Sequence, residues 1–327
     1  MKYLLIGGAG YIGSNVAHLL SHNQKNEIIV YDDLSSGTKK SLSKTIKFIQ
    51  GNQLDYKNLT KVVKEFQPNI VMHFAAKIIV SESVMKPLEY YENNVGGMLN
   101  ILRVMKENKI NKIIFSSTAA VYGTPLKLPI TEESTTNPIN PYGSSKLACE
   151  YLLKAVADAY GIKSVILRYF NVAGASDDYK LGIFNKETTL LIPRLVMSIL
   201  SNSEFKMFGN DYKETKDNSC LRDFIHVVDL ANAHLLAANY LLKTKNNISI
   251  FNLGSNKGYT VKECIKMTEK ITKKKLKVKV LNRRPGDPAK LITTNKLAKK
   301  ELNWEPKKTL KDMIESDLKF RENNKLF

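Results

Sequence analysis

The chain has 327 residues, 43% of them apolar and 25% charged, a balance that excludes a disordered, collagen-like or disulfide-stapled protein and predicts a real hydrophobic core. Fifty basic residues oppose 31 acidic ones for a formal charge of +19, yet only seven of the fifty are arginine and the lysines spread along the whole chain. That pattern predicts a solvated surface favouring small anions, with no nucleic-acid partner, because the Lys273-Lys274-Lys275 run lacks the interleaved aromatics of a single-strand platform.

Tyr3 to Ile6 predicts a first strand, followed at once by Gly7-Gly8-Ala9-Gly10-Tyr11-Ile12-Gly13 and by apolar residues at helical spacing over Ile12 to Leu20. The apolar start superficially resembles a signal peptide, but its glycines fall at turn spacing and no small-residue cleavage site follows. In this context the loop predicts a dinucleotide cradle. Gly7 permits a tight turn, Gly10 lets main chain approach a pyrophosphate, Gly13 lets helix pack on strand, and the helix start at Tyr11 and Ile12 offers free N–H groups. Asp32 closes the second strand, Ile28 to Tyr31, where a carboxylate accepts both hydrogen bonds of an adenosine ribose. Asp33 beside it would repel a 2′-phosphate, so NAD is expected over NADP.

Further strands are predicted at Ile70 to Phe74, Lys112 to Phe115 and Ser164 to Leu167, with a helix over Val95 to Glu107 between them. Alternation of this kind predicts an α/β fold with a doubly wound parallel sheet of the Rossmann type. Residues 1–170 form its NAD-binding domain, with some later segments returning to it; the looser rhythm of 171–327 predicts a smaller C-terminal α/β lobe for substrate. No run of about 18 apolar residues is present to span a bilayer. Cys149, Cys220 and Cys264 have no disulfide or metal spacing, which leaves a cytoplasmic protein without a metal as the expectation.

Two segments carry candidate chemistry. Phe115-Ser116-Ser117-Thr118-Ala119-Ala120 leaves a strand end, where doubly wound sheets bind ligands and hydroxyls can relay protons. After the loop Thr131 to Asn140, Pro141 opens a helix that puts Tyr142 and Lys146 on one face. An ammonium and a nicotinamide cation beside the phenol would lower its pKa toward neutrality, making a base. On its own, such a pair also fits packing plus a surface charge.

The conjunction of G-x-x-G-x-x-G, Asp32, the hydroxyl-rich strand end and Tyr142-x-x-x-Lys146 resembles the extended short-chain dehydrogenase/reductases. Tyr90-Tyr91-Glu92-Asn93-Asn94-Val95, Arg168-Tyr169-Phe170-Asn171, Leu221-Arg222-Asp223-Phe224-Ile225-His226 and Arg283-Arg284-Pro285-Gly286-Asp287 are similar to the UDP-glucose 4-epimerase branch of that family. The resemblance covers nearly the whole chain. It implies Tyr142 as catalytic base, Thr118 as the hydroxyl on the sugar 4′-oxygen and Lys146 on the nicotinamide ribose. It implies Asn52, Phe74, Ala75, Asn93, Ser116 and Tyr169 along the cofactor, and Asn171, Phe208, Arg222, Arg284 and Asp287 around a UDP-sugar. The implied reaction interconverts UDP-galactose and UDP-glucose with NAD through a 4-keto sugar that turns over before hydride returns.

Departures and rivals follow from the same residues. Asn52 replaces an aspartate near the adenine, Lys77 stands one position early, and Thr189-Leu190-Leu191 stands where some relatives carry asparagines near the diphosphate. A 4,6-dehydratase needs acid and base groups after the threonine, where this chain has Ala119 and Ala120. Leu291 is ambiguous about an N-acetylated UDP-sugar, the closest rival substrate; a nucleotide sensor without chemistry is the rival of another class. His226 and His73 read as structural, and Cys149 as packing. A homodimer is expected through the helix Val95 to Glu107 and the helix beyond Lys146, with Leu102, Met105, Leu147 and Tyr151 as candidate contacts that could equally face the sheet.

Overall fold

The computed structural model describes residues 1–284 and 288–327. Short apolar runs in the first half form β1 (Lys2–Ile6), β2 (Glu27–Asp32), β3 (Lys47–Gln50), β4 (Ile70–His73), β5 (Lys112–Thr118) and β6 (Lys163–Tyr169). The second half adds β7 (Asn171–Ala173), β8 (Glu204–Phe208), β9 (Leu221–His226), β10 (Ile248–Leu253), β11 (Gly258–Thr260), β12 (Lys277–Leu281) and β13 (Lys290–Leu291). The helices are α1 (Tyr11–Ser21), α2 (Tyr56–Phe66), α3 (Val80–Met85), α4 (Pro87–Tyr91), α5 (Gly97–Glu107), α6 (Pro141–Tyr160), α7 (Leu191–Leu200), α8 (Val227–Lys243), α9 (Val261–Thr272), α10 (Lys296–Leu302) and α11 (Leu310–Asn324).

Seven parallel strands lie in the order β3-β2-β1-β4-β5-β6-β10, the doubly wound sheet that the alternation predicts. Successive side chains of a strand point to opposite faces, and here both faces are covered. Leu5, Val30, Met72 and Ile114 pack beneath α1, α8 and α10, while Leu4, Ile29, Val71 and Ile113 pack beneath α2, α5 and α6. Winding reverses between β1 and β4, so the crevice of the sheet opens where Gly7 follows β1 and Phe74 follows β4.

The smaller lobe pairs β9 with β7, β11 and β13, and β8 with β12. Its core joins Ile192, Leu195 and Val196 of α7 to Phe205 and Met207 of β8 and to Met313 and Ile314 of α11. No helix among the described residues is long and apolar enough to cross a membrane.

Two details differ from expectation, and one choice left open by the sequence is decided. β5 continues through Ser116 and Ser117 to Thr118, so the hydroxyls belong to the strand. The helix expected from Val95 is preceded by a π-helical turn, Glu92–Gly96, and its α-helical part starts at Gly97. Among the candidate dimer contacts, Leu102 and Met105 are buried against the sheet and its flanking helices and Leu147 against Val121, Tyr122 and Phe170; only Tyr151 is open to solvent, 56% exposed.

Candidate active site

The turn after β1 is shaped by close approach. Gly7 has φ +79°, and a Cβ there would lie 2.4 Å from Ala75 N, because β4 ends against it; Phe74 N and Ala75 N both donate to Ile6 O. Gly13 would meet Gly7 O and Gly8 Cα at 2.7 Å, so it seats α1 on the turn itself, whereas Gly8 is the residue against strand side chains Leu5 and Val30. Gly10 is the N-cap without a side-chain cap, and the first intrahelical bond runs from Ser14 N to Gly10 O. The amides of Tyr11, Ile12 and Gly13 precede that bond and are the donors a pyrophosphate needs. Tyr11 also donates its hydroxyl to Gly174 O at 2.6 Å, tying the turn to the end of β7.

Asp32, buried at the end of β2, accepts from Ala9 N at 2.9 Å and Leu34 N at 2.8 Å; burial raises its pKa and these bonds oppose that. Asn52 is turned toward the neighbouring acid: its Nδ2 donates to Asp33 Oδ2 at 2.8 Å, while its Oδ1 accepts from Leu54 N. Asn93 sits in the π turn, donating to Asn94 Oδ1, and Gln53 Nε2 donates to Asn93 O. Phe74 packs tilted against His234, and Ser116 Oγ bonds His234 Nε2 at 3.2 Å. Lys77 is paired with Glu89 at the surface.

Across the crevice, Pro141 stands at the first position of α6 and Asn140 caps it, accepting from Gly143 N at 2.9 Å. The helix carries Tyr142, Lys146 and Glu150 one turn apart along β5. Thr118 Oγ1 accepts from Ala120 N, leaving its own proton for Tyr142. Burial raises the Tyr142 pKa above its ordinary value, and the Thr118 hydroxyl acts in the lowering direction. The adjacent ammonium does not lower it as expected, because Lys146 Nζ is turned over the Phe115 ring, 4.2 Å from its centre. Lys146 is 3% exposed and donates to no acceptor among the described residues, and burial brings its pKa down to about 8. A buried ammonium without an acceptor is the complement of ribose hydroxyls. Tyr169, at the end of β6, is held close to Ser116 and Tyr142, its pKa raised by burial and then by Tyr142.

A buried polar layer behind these groups has no motif in the sequence. Glu150 accepts from Ser117 Oγ at 2.5 Å and pairs with Arg168, whose Nη1 donates to Tyr122 OH. Asn94 binds Lys77 N and O and donates to Ser145 Oγ at 3.0 Å, locking the loop after β4 to α6 beside Lys146. The only signal for this layer was polar residues on the sheet-facing stripe of α6. His73 is buried against Gln53 and Phe115, with burial lowering its pKa to about 3, and His226 caps α8 by accepting from Val228 N, both structural roles.

The residues expected around a UDP-sugar lie mainly on the smaller lobe. Asn171 is two residues beyond Tyr169, in register with Phe224 of β9. Arg222 is buried on β9, its Nη1 donating to Leu221 O and Pro288 O. Arg284 lies over the Phe208 ring at 3.8 Å. Asp287 lies outside the described residues. Leu291 packs onto the cluster of Ala119, Tyr122, Leu147 and Phe170 next to Thr118.

Comparison with known proteins places this geometry. A family described as GDP-mannose 4,6 dehydratase matches residues 4–316. A UDP-glucose 4-epimerase from Halalkalibacterium halodurans is 44% identical, covering 96% of this chain and 94% of its own length. One from Lactobacillus helveticus is 41% identical over 99% of this chain and 98% of its own. The crystal structure of the UDP-glucose 4-epimerase from Bifidobacterium longum with NAD+ and UDP superposes with a TM-score of 0.94 at 36% identity, covering 100% of this chain and 99% of that one. Near-complete coverage at such identity, on a sheet that brings Tyr142 and Thr118 together, makes this chain a member of the UDP-glucose 4-epimerase family within the extended short-chain dehydrogenase/reductases.

Proposed function

We propose that the protein interconverts UDP-galactose and UDP-glucose by inversion at sugar C4′, with NAD retained as a catalytic group. One observation carries the reading: Thr118 and Tyr142 meet at a strand end whose next residues, Ala119 and Ala120, transfer no protons. Elimination of water lacks its acid and base there, so a dehydratase outcome is not supported.

NAD, when bound, supplies the hydride acceptor and then the donor at C4′. Tyr142 takes the 4′-hydroxyl proton and gives it back, Thr118 holds the 4′-oxygen, and Lys146 holds the ribose. Gly7, Gly10, Tyr11, Ile12, Gly13 and Asp32 cradle the dinucleotide, with Asn52, Phe74, Ala75, Asn93, Ser116 and Tyr169 along it. Asn171, Phe208, Arg222, Arg284 and Asp287 hold the UDP part, and this remote anchor lets the sugar ring turn over without leaving. Residues 1–170 chiefly serve the dinucleotide and 171–327 the UDP-sugar. A second copy docks on the α5–α6 face, where Leu99 and Tyr151 are exposed, and the buried thiols of Cys149, Cys220 and Cys264 suit a reducing cytoplasm.

The test incubates purified protein with UDP-galactose, without added NAD, alongside UDP-N-acetylgalactosamine. UDP-glucose is expected. A much larger kcat/KM for the acetylated sugar overturns the substrate, and no epimerisation of either, even with NAD supplied, overturns the activity.

A further inference from the structure

Behind the crevice stands a polar side chain that no sequence motif contains. His234 lies two turns into α8, past the cap His226, and is fully buried. Its Nδ1 is 2.9 Å from Leu230 O, an atom that can only accept, so the ring carries a proton on Nδ1. Burial keeps the ring neutral, bringing its pKa down to about 4. Nε2 is therefore a bare acceptor, and in its 3.2 Å contact with Ser116 Oγ the serine is the donor.

The consequence falls on the wall facing the dinucleotide. β4 and β5 pair with His73 opposite Phe115, so Phe74 and Ser116 are the next residues along two adjacent chains at the carboxyl edge of the sheet. Ser116 and Thr118, two apart on β5, point to one face about 7 Å from each other. Ser116 is thus one step below the hydroxyl that meets Tyr142. Phe74 rests on the same imidazole, with ring centres 5.1 Å apart. A serine hydroxyl has a single proton; once it is given to His234, Ser116 meets a ligand only as an acceptor.

We propose that His234 is a positioning residue for the cofactor, which turns the Ser116 proton inward so that the N–H of a nicotinamide carboxamide finds an acceptor oxygen on this wall. This rests on the placement of Ser116 and Phe74 along NAD given above.

Nicotinic acid adenine dinucleotide, whose carboxylate has no N–H to offer, is the probe. Protein is equilibrated with mixtures of it and NAD, free nucleotide is removed, and the bound ratio is read by chromatography. The unaltered protein is expected to prefer NAD. In His234→Phe, which keeps a ring against Phe74 but lets Ser116 turn its proton outward, that preference should fall about tenfold, the upper end of what one hydrogen bond is worth. His234→Gln, which again offers Ser116 an acceptor, should restore it to within twofold. Ser116→Ala should also lower it, and adding His234→Phe should then change nothing further, because the effect passes through that hydroxyl. A preference in His234→Phe within twofold of the unaltered protein, or one lost equally in His234→Gln, overturns the proposal. Should His234→Phe fail to fold, an unchanged preference in Ser116→Ala or a lost one in His234→Gln overturns it as well. A protein that takes up neither dinucleotide sinks the cofactor reading and this inference together; a preference that depends on Ser116 and is indifferent to His234 sinks the inference alone.

Discussion

Replacing Glu150 with glutamine asks whether the strand end presenting Thr118 is held by a buried charge pair. Glu150 is 0% exposed and accepts from Ser117 Oγ, Arg168 Nε and Arg168 Nη2. Glutamine keeps the shape but removes the charge and one acceptor oxygen. Arg168, 3% exposed and raised in pKa by this partner, stays protonated and is left as a buried cation. Breaking such a pair costs about 3–5 kcal/mol. Unfolding entropy of roughly 2.1 cal/mol/K per residue gives about 0.7 kcal/mol/K for 327 residues, so the Tm should fall by about 4–7 °C. Thermal melts of Glu150→Gln and of Glu150→Gln with Arg168→Met check this, the double variant recovering most of the loss because no charge is stranded. A single variant melting within about 1 °C of the unaltered protein would refute the pair as a support.

Tyr142→Phe should keep bound NAD and lose roughly 10²–10⁴-fold in kcat; unchanged turnover in a coupled UDP-glucose assay removes the base assignment. Gly7→Ala puts a Cβ 2.4 Å from Ala75 N at φ +79°, where backbone cannot yield, so NAD should be lost from the purified protein; retention of the nucleotide, read from its absorbance, contradicts the geometry. Stability should fall as pH drops below 6.5, because burial lowers His73 to about 3 and His226 and His234 to about 4. These rings are neutral when folded and protonate only on unfolding, so their contribution is full above 6.5 and lost toward 4, on the order of 3 kcal/mol for each of the latter two. Asp223 works oppositely: burial raises it to about 6, so its contribution falls as pH rises from about 4 to about 6. Denaturant titrations at pH 7 and 4.5 decide whether the histidines dominate; equal midpoints show that they do not.

The parallel strands were legible because burial on both faces makes them continuous apolar runs, as at Ile28 to Tyr31. β3 escaped notice: Lys47-Phe48-Ile49-Gln50 is an edge strand with only two apolar residues. The dinucleotide turn could be read because its glycines answer local constraints. The Glu150–Arg168 pair could not, since partners 18 residues apart read as surface charges until β6 and α6 bring them together. The π turn at Asn93 and Asn94 interrupts an apolar spacing that looks uniformly helical, and its cause, the bonds of Asn94 to Lys77 and Ser145, is tertiary. Helix phase likewise left Leu102, Met105 and Leu147 open: spacing identifies an apolar face but not whether that face meets the protein's own core or a second copy.

The proton-handling pair shows what the cleft does before it is filled. Burial acts on Tyr142 and Lys146 in opposite directions on the pH scale but toward one result, the uncharged form of each. The phenol keeps its proton, and the ammonium, lying over the Phe115 ring, gives up its proton more readily than an exposed one. Ribose hydroxyls offered to Lys146 and a positive charge brought near Tyr142 reverse both effects, because each favours the charged form. On the proposed roles of Tyr142 and Lys146, proton transfer is thereby reserved for the loaded cleft. The limb of the kcat profile governed by the base must then lie well below the pH at which Tyr142 titrates in cofactor-free protein, a difference that ultraviolet titration of the phenolate can measure directly; coincidence of the two would mean that burial alone, and no bound group, sets the base.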